Sequence, residues 1–171
     1  QMARPDDRLI LCEAVPEVHA ALARVCGARA ALHRRDGYGA DALLPPPEKR
    51  GLILIDPPYE RRDEFEAVAD LVVRSRKRFA NGVYLAWYPL KNRYEAQRMV
   101  RRLARDAGKP VWNATLEVGA PAEGRMRGCG MVLVNPPFGL DETLAAPLAW
   151  LADRLSQAAR GRHTLEWVRA E

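Results

Sequence analysis

No apolar run in these 171 residues is long enough to cross a bilayer as a helix, which argues against a membrane-spanning protein. The three cysteines form no CxxC pair and sit in apolar contexts. They read as reduced thiols of a cytoplasmic protein, not as a disulfide framework or zinc ligands. The three histidines share no metal-ligand spacing, so no metal centre is expected. Low-complexity tracts are missing, and so is any glycine-rich loop between a strand and a helix. What remains suits one globular domain over residues 1–171: 48% of residues are hydrophobic, enough for a sizeable core. The formal charge of +5 leans toward anionic partners such as nucleic acid, although a merely basic surface gives the same count.

Short apolar runs alternate with helical patterns along the chain. Arg8 to Glu13 reads as a buried strand ending in an acid. Pro16 suits a helix first turn, Val18, Leu22 and Val25 recur at helical spacing, and Gly27 can close the helix. A weaker strand at Ala28 to Arg34 is followed by Asp36-Gly37, a turn signal. Prolines 45–47 lead to a strand at Leu52 to Ile55. Asp63 with Glu66 has capping-box spacing before a helix whose apolar face is Phe65, Val68, Val72 and Phe79. After a strand at Val83 to Tyr88, Asn92 and Glu95 repeat the cap before Ala96, Met99, Val100, Leu103 and Ala107. Strands at Val111 to Val118 and Met131 to Val134 follow closely on one another. Asp141 can then cap a last helix, and Thr164 to Val168 can add an edge strand.

Continuous apolar strands alternating with amphipathic helices indicate an α/β sheet, mostly parallel, covered on both faces. The closing pair of strands requires an antiparallel member. That is the layout of Rossmann-like methyltransferases. Ligands of such sheets bind beyond the carboxyl ends of the strands, where Glu13 and Asp56 both fall.

Asp56-Pro57-Pro58-Tyr59 carries the chemistry. An exocyclic amino nitrogen is a poor nucleophile until its two N–H groups are held and it pyramidalises. A carboxylate can accept one N–H and a backbone carbonyl the other. Proline fixes the turn and adds no competing donor, and an aromatic ring offers a stacking surface for a planar substrate. Asp56 is therefore the expected catalytic residue, with Pro57, Pro58 and Tyr59 expected to bind substrate. The methyl donor would be S-adenosylmethionine. Asn135-Pro136-Pro137-Phe138 repeats the pattern, but on a strand expected to run antiparallel. Its end then lies at the opposite rim, where it reads as a turn. Glu13 suits donor ribose hydroxyls, and Asp36-Gly37 falls where the donor's adenine is expected.

These residues, with RGLILIDPPYE, FANGVYLAWYP, GCGMVLVNPPF and HTLEWV, resemble the RlmJ-type 23S ribosomal RNA adenine-N6 methyltransferases over the whole chain. The resemblance implies a class I methyltransferase sheet and modification of 23S ribosomal RNA by a monomeric cytoplasmic enzyme. It implies that Asp56 contacts the adenine amino group while Pro57 and Tyr59 help hold the base. It also implies that Glu13, Asp36, Gly37 and Asp56 line the S-adenosylmethionine pocket. Family members begin with a long portion absent here, including the first strand and its glycine-containing donor loop. The expectation is thus a domain lacking its first strand, starting within a helix at Gln1-Met2-Ala3, and inactive alone. Other readings are N-methylation of DNA or of glutamine, and a non-catalytic RNA-binding scaffold. Arg98, Arg101, Arg102 and Arg105, or Arg74, Arg76, Lys77 and Arg78, are candidate phosphate contacts or solvated helix faces. Trp87-Tyr88-Pro89 can wall the base site or pack in the core, and Arg125 and Arg127 lie in a loop able to meet substrate.

Overall fold

A computed structural model describes residues 3–119, 126–157 and 161–169, which leaves Gln1, Met2 and Arg125 outside the described residues. The chain divides into two compact units, the first ending at Leu43 and the second starting at Leu44.

In the first unit, β1 (Leu9–Cys12) pairs in parallel with β2 (Ala30–His33), and α1 (Pro16–Cys26) connects them. Pro16 sits in the first turn of α1, and Gly27 ends it at φ 52°, a left-handed conformation that suits glycine. The strands expected to be buried are only half-buried, and on α1 Val18 and Val25 are exposed while Leu22 is half-buried. Cys12 and His33 are register partners, so Glu13 and the residues after His33 leave the same end of this pair. Asp36-Gly37 opens a 3-10 stretch, Gly37–Leu43, where a simple turn was expected.

The second unit is a five-stranded sheet in the order β3-β4-β6-β5-β7. Its strands are β3 (Gly51–Ile55), β4 (Gly82–Pro89), β5 (Val111–Glu117), β6 (Gly128–Val134) and β7 (Arg162–Arg169). β3 and β4 are parallel, β6 is antiparallel to β4 and to β5, and β7 is antiparallel to β5. β3, β4 and β5 therefore share one direction, and β6 and β7 oppose it. This mixed α/β sheet is Rossmann-like.

Two helices, α2 (Glu64–Arg78) and α3 (Arg93–Asp106), cover one face. Their apolar stripes are the ones read from sequence. Val68, Val72, Met99 and Leu103 are buried with the inward residues Tyr84, Ala86, Val111, Val132 and Val134. Each of the valine, leucine and methionine side chains among them contributes roughly 1.5–3 kcal/mol by leaving water. On the other face α4 (Leu140–Arg154) brings Leu140, Leu144 and Leu148 against Trp112, Ala114 and Leu133.

Helix entries match expectation only in part. Asn92 accepts a 3.2 Å hydrogen bond from the Glu95 amide, the cap read from sequence. Asp63 stands at the N-cap of α2 without capping it, because Arg61 takes its carboxylate at 2.7 and 3.0 Å. That pairing holds the Asp63 carboxyl below its ordinary range. Nor does Asp141 cap α4; Gly139 is the N-cap, and the Asp141 carboxylate accepts from the Trp167 indole at 3.0 Å.

Candidate active site

Asp56 follows the last residue of β3, at the end where β4 also finishes. Its side chain is exposed and has no hydrogen-bond partner among the described residues. Pro57 and Pro58 restrict the next two φ angles, so the carboxylate stands on a stiff support.

Tyr59 then adopts φ 54°, in the left-handed region that a non-glycine residue enters at a cost of roughly 1–2 kcal/mol. Three contacts hold it there. The hydroxyl donates a 2.9 Å hydrogen bond to the Trp87 carbonyl. The ring lies 4.7 Å from Phe65 and 6.0 Å from Trp87, centroid to centroid. Tyr59 is consequently only 9% exposed. The ring packs against Phe65 and Trp87 while the hydroxyl braces the turn. The anchoring carbonyl of Trp87 was missed in sequence because it lies 28 residues away on another strand. Trp87 and Tyr88 also take different parts: Trp87 is half-buried beside Tyr59, whereas Tyr88 is buried on the opposite face of β4.

The second Pro-Pro copy differs in kind. Val134 registers with Tyr84 near the start of β4, so Asn135 emerges at the rim opposite Asp56. Its amide nitrogen donates to the Gly82 carbonyl at 3.1 Å, and its backbone N–H donates to the Pro110 carbonyl at 2.9 Å. Asn135 also has φ 60°, which asparagine tolerates better than most residues. Here the side-chain nitrogen ties Asn135 to the start of β4, at the rim away from Asp56.

In the first unit, Glu13 continues the ladder by donating its N–H to the His33 carbonyl at 3.1 Å. Its Oε1 accepts from the Val15 amide at 2.7 Å, which leaves Oε2 for another donor. Asp36 Oδ1 accepts from the Tyr38 amide at 2.9 Å. Gly37 has an ordinary φ, and a Cβ there would meet nothing within 4 Å. Neither conformation nor packing asks for glycine at that position, so a side chain there would fill open space. The second Glu13 oxygen could accept from a ribose hydroxyl, and the open space at Gly37 has room for a flat base.

The family described as "Ribosomal RNA large subunit methyltransferase D, RlmJ" matches this chain over residues 1–169. The chain belongs to the RlmJ family. It is 37% identical over 142 residues to Ribosomal RNA large subunit methyltransferase J of Escherichia coli strain K12, covering 82% of this chain and 51% of that protein. The Haemophilus influenzae protein of the same name is 37% identical over 131 residues, covering 76% of this chain and 47% of its own length. A crystal structure of a Legionella pneumophila protein, 30% identical, superposes with a TM-score of 0.88 over 96% of this chain and 62% of that one. The chain thus spans about half the length of these two methyltransferase J relatives.

Within this RlmJ-family chain most of the basic residues singled out in sequence are engaged. Arg102 pairs with Glu66 at 2.7 Å and with Asp70, and Arg98 pairs with Glu66 at 2.9 Å, lacing α3 to α2. Arg105 pairs with Asp106 at 2.7 Å. Arg76 donates to the Ala107 and Gly108 carbonyls at the end of α3, and Arg78 donates to the Leu44 carbonyl at 3.0 Å. Arg101 alone of the α3 stripe has no such partner among the described residues. The cysteines are free and half-buried, and burial pushes the Cys12 and Cys129 thiols up, away from reactivity. Among the described residues no His, Cys, Asp and Glu group could hold a metal, and no helix is long and apolar enough to cross a membrane.

Proposed function

We propose that this chain carries the target-base side of an S-adenosylmethionine-dependent methyltransferase acting on N6 of an adenine in 23S ribosomal RNA. The observation that carries the reading is the exposed, unpartnered Asp56 carboxylate on a turn locked by two prolines and the Tyr59–Trp87 hydrogen bond. The names of the Escherichia coli and Haemophilus influenzae relatives support the substrate class.

In this reading Asp56 accepts one N–H of the adenine amino group and the Pro57 carbonyl accepts the other. Together they draw the nitrogen out of conjugation, so that its lone pair points at the donor. S-adenosylmethionine, when bound, supplies an electrophilic methyl group on a sulfonium. Transfer would form the N–C bond as the methyl–sulfur bond of the donor breaks and leaves a neutral thioether. N6 would give up one proton through its hydrogen bond to Asp56, from which solvent can take it. Pro57 and Pro58 contribute rigidity: most of the rate gain comes from holding acceptor groups in place before the reaction. The target base is extruded from its strand to reach the carboxylate.

For the donor, Glu13 Oε2 would take a ribose hydroxyl, with Asp36 and Gly37 beside the adenine. The carboxylate oxygen left over at Glu13 and the open space at Gly37 fit that group. Action on ribosomal RNA implies a cytoplasmic protein, which we take to work as a monomer.

The test is methyl transfer from S-adenosylmethionine to 23S ribosomal RNA isolated from cells lacking the modification. DNA and a glutamine-containing peptide serve as competing substrates. Formation of N6-methyladenine in the RNA alone supports the reading, and transfer only to DNA or peptide replaces it.

A further inference from the structure

On the α3 face of the five-stranded sheet, a groove of about 370 Å³ lies between the first half of α3 and the strands β5 and β7. That volume is within the range of about 300–1,000 Å³ usual for small-ligand sites. It reaches the edge where β3, β4 and β5 all end, since Tyr88 of β4, Leu90 just beyond that strand and Glu117 of β5 line it. Asp56 stands at the same edge, three strand spacings from β5, on the order of 14 Å.

The floor is a built polar chain. Tyr88 crosses over β6 at Gly130, where a Cβ would fall 2.1 Å from the tyrosine ring, and its hydroxyl donates to Asn113 Oδ1 at 2.8 Å. Asn113, 4% exposed, donates in turn from Nδ2 to Glu166 Oε1 at 3.1 Å. The network holds Glu166, which lines the groove, by one carboxylate oxygen and leaves the other without a partner among the described residues. On the helix side stands Arg101, the guanidinium of the α3 stripe with no partner among the described residues. Arg93 is already paired with Glu117. One wall therefore offers a fixed carboxylate acceptor and the other an uncompensated cation.

A ligand that satisfies both must carry a hydrogen-bond donor and an anion a few bonds apart. We infer that this groove holds one nucleotide of the RNA strand flanking the methylated adenine, its phosphate on Arg101 and its ribose 2′-hydroxyl on Glu166. The inference rests on the RNA-methyltransferase reading above and adds a second contact point to it. It also supplies a means of telling RNA from DNA, since only the 2′-hydroxyl distinguishes them at such a site.

The intact protein is assayed as wild type, Arg101→Ala, Glu166→Gln and, as a control on the same helix, Arg105→Ala. Glu166→Gln keeps the acceptor for Asn113 and so keeps the floor. The substrate is a single-stranded oligoribonucleotide containing the target adenine, together with a set carrying one 2′-deoxy nucleotide at each flanking position. Arg101→Ala is expected to raise KM about tenfold and to lower the salt slope of binding by about one phosphate contact. At one flanking position the deoxy substitution weakens the wild type several-fold and leaves Glu166→Gln unchanged. Arg105→Ala behaves as wild type. The inference is overturned if Arg101→Ala keeps the wild-type KM and salt slope, or if every deoxy position affects wild type and Glu166→Gln equally. A protein that binds the oligonucleotide with these signatures but methylates no RNA retains the groove and loses the enzymatic reading.

Discussion

The Tyr59 hydroxyl reaches the Trp87 carbonyl at 2.9 Å and thereby clips the turn after β3 to the end of β4. Three consecutive constraints act on this turn: two prolines, a left-handed tyrosine, and a hydrogen bond to a neighbouring strand. Left-handed non-glycine residues persist only where surroundings over-determine them, and they cluster at functional sites.

Removing that clip should cost more in activity than in stability. Tyr59→Phe keeps the ring contacts and loses one hydrogen bond, about 1 kcal/mol in a denaturant melt. The same variant is expected to lower kcat for methyl transfer by more than the roughly fivefold that about 1 kcal/mol corresponds to. A kcat equal to wild type would show that the turn needs no anchor.

Asn135 should behave in the opposite way. Its side-chain bond to Gly82 and its φ of 60° make Asn135→Ala destabilising by roughly 1–3 kcal/mol. Methyl transfer per folded molecule stays at the wild-type level. A selective loss of catalysis in a stable Asn135 variant would place this second copy in the site.

Gly130 is needed for contact, not for conformation. Gly130→Ala would place a methyl group against the Tyr88 ring, so a loss of about 1–3 kcal/mol or more is expected as the ring leaves Asn113. The stability curve measures the cost, and the Tyr88 hydroxyl titration reports the displacement. Unchanged stability would mean that Tyr88 does not cross β6 there.

Alkaline pH should weaken the second unit. Burial pushes the Tyr84 and Tyr88 hydroxyls up to about 12 from an ordinary value of 10. Between those values the unfolded chain has lost these protons and the folded one keeps them, so stability falls as pH rises through the window. Below about pH 10 the contribution is complete. Denaturant midpoints that stay flat from pH 10 to 12 would contradict the burial of both hydroxyls.

The fold was legible because its signals are local. Val68 and Val72 on α2, and Met99 and Leu103 on α3, repeat at helical spacing and are buried as read. The opposed directions of β3 and β6, which separate Asp56 from Asn135, followed from the short connection before β6. Less legible were side chains whose partners lie far along the chain. Glu66 has capping spacing from Asp63 but is drawn to Arg98 and Arg102 of another helix. The bond from Tyr59 to the Trp87 carbonyl, 28 residues away, is invisible in a motif. The Tyr88–Asn113 contact depends on β6 lying between β4 and β5, a strand order that no local pattern encodes.

The central claim is that the Asp56 carboxylate holds the amine that is methylated. Its most direct test measures N6-methyladenine by mass spectrometry in unmodified 23S ribosomal RNA treated with the intact protein, wild type against Asp56→Ala. Because Asp56 is exposed and unpartnered, the variant should fold with stability within about 0.5 kcal/mol of wild type. The account predicts that such a folded variant transfers methyl at least about a hundredfold more slowly. A folded Asp56→Ala protein with wild-type transfer would contradict it.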